Sequence, residues 1–90
     1  MLTVLFIASH FLVVIMPNAA ELCSGAPACY FPPGHVMVLD RQIKAEYFPF
    51  VFLHEYAHSI GVPDADGKAN KWVADNFPRV VFPATLKDII

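Results

Sequence analysis

The stretch FLHEYAHSIGVPDAD, Phe52 to Asp66, decides how this chain is read. His54 and His58 stand four residues apart, so on a helix their rings emerge one turn apart on the same face. Two imidazoles so placed can hold one metal ion at bond lengths of about 2.0–2.1 Å. Glu55 follows His54 directly, so its carboxylate lies beside such an ion without having to bind it. That position suits a base taking a proton from metal-bound water. The plain alternative is a solvated helix face, with Glu55 in a surface ion pair.

The flanks predict the helix. In AEYFPFVFLHEYAHSIG, residues 45–61, Pro49 is tolerated only in a first turn, so the regular part starts there. Gly61 fits the stop, where a left-handed backbone is needed. Phe50, Leu53, Ala57 and Ile60 recur at helical spacing and form an apolar stripe expected to pack on a sheet.

Upstream, ACYFPPGHVMVLD, residues 28–40, reads as a hairpin. Two short apolar runs flank Pro32, Pro33 and Gly34. Pro33 and Gly34 predict a type II turn, with Gly34 supplying a positive φ. His35 reads as a half-exposed strand residue. Asp40 to Lys44 is the polar connection, with Asp40 capping a short helical turn.

The chain opens MLTVLFIASHFLVVIMPNAAE. The β-branched run FLVVIM reads as a strand buried on both faces, preceded by a short helix or strand. His10 reads as a core or boundary histidine. The competing reading makes residues 2–16 a signal segment or membrane anchor, since their length suits a signal h-region and falls short of a full helical span. No Lys or Arg precedes the run, and the core reading is the expectation.

Ninety residues allow one domain, 1–90. A chain this short has a thin core, so a bound metal would matter to its stability. A composition 57% hydrophobic and 16% charged is too apolar for a disordered segment. The net charge of -2, with six scattered Lys and Arg, argues against a nucleic-acid partner. It leaves membrane contact only to residues 2–16. Cys23 and Cys29, in CSGAPAC, have the wrong spacing for a zinc knuckle. They read as two free thiols of a reduced, cytoplasmic chain. The alternative is a small-loop disulfide of an oxidising compartment, as in a secreted or anchored protein.

The segment Phe52–Gly61 resembles the active-site helix of zincin metallopeptidases, whose shared motif is HExxH. The hairpin before it extends the resemblance over Ala28 to Phe77. The resemblance implies a small α+β domain: a short sheet with a hairpin, then the active-site helix, then a second helix. It also implies Zn2+ as cofactor, His54 and His58 as ligands, Glu55 as catalytic residue, and a peptide or protein substrate.

The third ligand stays open. HEYAHSIGVPD resembles the metzincin spacing HExxHxxGxxH, with Asp64 where the last histidine stands. A carboxylate is a sound replacement, with metal–oxygen bonds of about 2.0–2.2 Å. Gly61 would let the chain reverse so that Asp64 reaches back. No methionine follows, so the metzincin Met-turn is absent. The rival is KANKWVADNF, residues 68–77, which is similar to the glutamate helix of gluzincins. Aligned on Ala69 and Asn70, the ligand position holds Lys68; aligned on Ala74 and Asp75, it holds Val73. Asp75 could substitute from a neighbouring turn. Asp64 ranks first, then Asp75, then Asp66. Asp66 could instead cap the following helix. DADG lacks the glutamate that closes a calcium loop.

Two functions follow as expectations. One is a zinc-dependent peptidase in which Glu55 activates water, with Tyr30, Tyr47 and Tyr56 as candidate oxyanion donors. The other is a non-catalytic zincin-like binding or structural module. Substrate preference and oligomeric state are not legible in the sequence.

Overall fold

The computed structural model describes residues 3–7 and 11–90. His10, assigned to the core from sequence, lies outside the described residues. Four strands form one mixed sheet: β1 (Thr3–Ile7), β2 (Phe11–Met16), β3 (Ala28–Phe31) and β4 (Val36–Asp40). Two helices follow, α1 (Phe48–Ser59) and α2 (Lys68–Asn76). The α+β class read from the sequence is therefore observed.

The spatial order is β1-β2-β4-β3. β1 pairs antiparallel with β2, and β3 antiparallel with β4, while β2 and β4 run parallel at the centre. Parallel neighbours need a crossover, because a tight turn can only reverse a strand. Residues 17–27 and then β3 supply it, so β3 ends at the sheet edge beside α1.

Alternation along the strands sorts the side chains. Val13, Ala28, Met37 and Leu39 face the helices and join Ile43, Phe50, Val51, Val73 and Ile89 in the main core. Ala19, Cys23 and Val38 form a smaller cluster on the opposite face, with Val14, Met16, Ala26, Cys29 and Val36 against it. The strand buried on both faces is β4, whose last four residues are all buried. In β2 the period is the same, but from Leu12 to Met16, Val13 alone is fully buried. The FLVVIM expectation is corrected accordingly: the crossover loop covers only part of its second face.

The β3–β4 hairpin forms, but not with a type II turn. Pro32–Gly34 is a single 3-10 turn, and His35, at φ 50°, takes the left-handed position assigned to Gly34. Two prolines in succession favour helical φ, which moves the reversal one residue on. His35 is thus an exposed turn residue outside the strand, and its Nδ1 lies 2.8 Å from the Tyr30 hydroxyl. Asp40 ends β4 and is buried. Its carboxylate accepts the N–H of Gln42 at 2.8 Å, closing the polar turn, and the N–H of Ala19 at 3.1 Å across the second face.

The free-thiol reading of Cys23 and Cys29 is also corrected. They form a disulfide with a Cα–Cα distance of 5.4 Å. The bridge ties the crossover loop to β3. Ser24 and Gly25, at φ 55° and 92°, make the tight reversal between the cysteines. Among the described residues no helix is long and apolar enough to cross a membrane.

α1 begins with Pro49 in its first turn, as expected. Its buried residues are Phe50, Val51, Glu55 and Ala57. Ile60, placed in the apolar stripe from sequence, is 51% exposed, because the helix ends at Ser59 and Ile60 turns outward as the cap. Val51 takes the core position. α2 packs against α1, with Trp72 beside Tyr56.

Candidate metal centre

The end of α1 sets the site. Gly61, at φ 94°, reverses the chain. The Gly61 N–H donates to His58 O at 3.0 Å and the Val62 N–H to Ala57 O at 2.9 Å. This bond pair is a Schellman cap, and glycine is needed at its left-handed position. The reversal brings Asp64 back over the last two turns of α1.

Three donor atoms converge there. His54 Nε2 and His58 Nε2 are 3.2 Å apart. Asp64 Oδ1 lies 3.0 Å from the first and 3.2 Å from the second. Both Nδ1 atoms face acceptors. His54 Nδ1–H donates to Asn70 Oδ1 at 2.7 Å, and His58 Nδ1–H donates to the Val62 carbonyl at 2.8 Å. A neutral ring with its proton on Nδ1 leaves a lone pair on Nε2. Two lone pairs and a carboxylate oxygen therefore point at one another. They repel unless a cation, a proton or a metal ion, lies among them. The Asp64 side chain is 70% exposed, so ion pairing alone does little to order it.

Glu55 is the buried member, only 5% exposed. His54, Glu55 and His58 present donor atoms all within 4.8 Å of one another and could hold a metal ion. Asp64 Oδ1, at 3.0 and 3.2 Å from the two Nε2 atoms, lies within that range of both rings as well. Burial pushes the Glu55 carboxyl up to about 7; His58 acts to lower it and Asp64 to raise it further. Desolvation wins because the buried face of α1 leaves the carboxylate little water to stabilise its charge.

The other candidates lie elsewhere. Asp75 is an exposed residue of α2 that pairs with Lys71 at 2.8 Å, one helical turn earlier. Asp66 is exposed, at φ 56°. It does not cap α2: the cap position is Gly67, in a left-handed conformation without a side-chain bond. None of Tyr30, Tyr47 and Tyr56 lines the cavity beside the histidines.

Two contributors were not legible from spacing. Asn70 holds His54 from α2, sixteen residues downstream, and no motif distance marks it. Its signal was its place beside Ala69 in the second helix. The other is the stretch Ala26–Ala28, which lines a cavity of about 340 Å³ together with His54, Glu55, His58 and Asp64.

No family model matches the chain, and neither characterised proteins nor solved structures give a match to it.

Proposed function

We propose that this chain is a zinc-dependent hydrolase of peptide bonds, with His54, His58 and Asp64 as ligands and Glu55 as the general base. The observation that carries the reading is the convergence of two Nε2 lone pairs and one carboxylate oxygen, spaced 3.0–3.2 Å, with both Nδ1 protons committed elsewhere. A tetrahedral ion with bonds of about 2.0–2.1 Å spaces its donors about 3.3 Å apart, so the set fits zinc with little movement. Nitrogen and oxygen donors in this ratio suit zinc better than calcium or magnesium, which prefer all-oxygen sites.

Zinc held there would polarise a carbonyl oxygen and lower the pKa of a water towards 7. The protein's own part is proton transfer and orientation. Glu55 takes the water proton on a carboxylate oxygen and delivers it to the leaving amine. Burial raises this carboxyl to about 7 without metal, and a cation beside it would favour the charged form that accepts the proton. Asn70 and Val62 hold the two imidazoles with Nε2 inward.

A second reading draws on Glu55 itself. Its donor atom lies within 4.8 Å of the histidine donors, so it could close the site as a fourth ligand. The metal would then be structural and the chain a binding module. Zinc content and peptide cleavage, measured on wild type, His54→Ala and Glu55→Gln, test both. Less than about a tenth of an equivalent of zinc in wild type rejects the metal reading altogether. Zinc lost from Glu55→Gln favours the structural site; zinc retained with cleavage abolished favours the hydrolase.

A further inference from the structure

We infer that Asn70 has a second role: its side-chain amide N–H holds a backbone carbonyl of the bound peptide. This deepens the hydrolase reading and rests on it.

The amide of asparagine has two halves of opposite chemistry, an accepting oxygen and a donating NH2. Asn70 Oδ1 lies 2.7 Å from His54 Nδ1. A histidine that offers Nε2 to a metal carries its proton on Nδ1, so Nδ1 must face an acceptor. That requirement fixes the amide: the oxygen faces the ring and the NH2 group is turned away from it. Asn70 is exposed, and among the described residues Nδ2 has no partner.

Elimination within the cavity points to this group. The polar side chains that line it are His54, Glu55, His58, Asp64 and Asn70. Glu55 and Asp64 accept as carboxylates. The Nδ1–H of each histidine is already spent, on Asn70 or on the Val62 carbonyl, and each Nε2 faces the metal position. Asn70 Nδ2 is therefore the one side-chain donor left to a ligand among the described residues lining the cavity. A peptide entering there brings carbonyl oxygens that lose water against Phe50, Val51 and Ile89. An oxygen left without a donor is costly, so a donor at the rim selects how the peptide backbone lies.

The packing of α2 on α1 places that donor beside the first histidine. Only the His54 ring stands between the amide and the metal position, so the carbonyl it takes is a near neighbour of the one at the metal. Asn70 thus ties substrate seating to ligand orientation, one half of its amide serving each.

The test uses two probes that anchor on zinc alike, acetohydroxamate and N-acetylglycine hydroxamate, which differ by one backbone amide. Both are measured by calorimetry on protein whose zinc content has been determined. Wild type should bind the longer probe about three- to tenfold tighter, the worth of one hydrogen bond. Asn70→Asp keeps an acceptor for His54 but lacks the donor. It should keep zinc and acetohydroxamate binding, while the advantage of the longer probe falls below about 1.5-fold. Asn70→Leu, measured at saturating zinc, should lose the same advantage without adding a charge. Equal binding of the two probes to zinc-loaded wild type overturns the donor role and leaves the metal site intact. So does an advantage that survives in either zinc-loaded variant; survival in Asn70→Leu alone would trace the Asn70→Asp loss to charge repulsion. Zinc lost from Asn70→Asp would show that His54 needs a donor at that position, which reverses the amide and overturns the inference. A wild-type chain that takes up no zinc overturns this inference and the hydrolase reading together.

Discussion

The carbonyl of Val62 accepts the Nδ1–H of His58 at 2.8 Å, while the N–H of the same residue closes α1 on Ala57. One residue therefore ends the helix and fixes which ring nitrogen faces the site. The helix stop and the orientation of the second histidine are a single device, and both depend on the left-handed turn at Gly61.

Gly61→Ala should loosen that device. A Cβ at Gly61 meets nothing within 4 Å, so the cost is purely conformational, from φ 94°. Thermal unfolding should show a loss of about 1 kcal/mol or somewhat more. Zinc affinity should fall as well, because Val62 and Asp64 both follow the turn. Unchanged zinc affinity in a destabilised variant would separate the cap from the site.

Asp64→Ala should weaken zinc by more than about 100-fold, and Asp75→Ala by less than about threefold. Asp64 faces both imidazoles, whereas Asp75 is held by Lys71 on an exposed helix face. Competition with a chromophoric chelator measures both. A reversed order would move the third ligand to α2.

Asn70→Leu should lower zinc affinity by roughly 10–100-fold with little change in fold. The side chain has the same branched shape but cannot accept the His54 proton, so the ring loses its fixed orientation. Nitrogen NMR of the His54 ring distinguishes this from a general loosening: the Nδ1-protonated form should dominate in wild type and mix with its tautomer in the variant.

The metal-free protein should lose stability as pH rises from about 4.5 to about 7. The Glu55 carboxyl is raised to about 7 by burial, so the folded chain keeps a proton there that the unfolded chain releases near 4.5. The contribution is fully present below 4.5 and lost as pH passes 7, and it is of the order of 3 kcal/mol. Urea unfolding across that range should show the decline, and Glu55→Gln should flatten it. Zinc should also flatten it, since a cation beside the carboxylate favours its charged form.

Replacing Cys23 and Cys29 together by serine should cost roughly 2 kcal/mol, the loop closed by the bridge being short. The loss should appear as a lower midpoint in thermal unfolding, and reducing agent should reproduce it in wild type. Insensitivity to reductant would show that the crossover loop is held by its backbone bonds alone.

What the residues dictate locally was readable from them. Pro49 and Gly61 bound α1 because one lacks an N–H and the other lacks a Cβ, and both facts act within a turn of the chain. The hairpin of β3 and β4 followed from two apolar runs about a turn segment. His54 and His58 share a face because helix geometry puts residues four apart together. Tertiary structure decided the rest. Spacing ranks Asp64 above Asp75, and the folded path after Gly61 sets the distances: Asp64 lies 3.0 and 3.2 Å from the two rings, while Asp75 pairs with Lys71. Asn70 reaches His54 only because α2 packs on α1. Cys23 and Cys29 could have been thiols until the crossover loop brought their Cα atoms to 5.4 Å. Ile60 left its expected stripe because the helix ended one residue sooner. For Asn70 and for the cysteines the deciding contact joins separate elements, α2 to α1 and the crossover loop to β3, so its energy exists only once those elements have packed together.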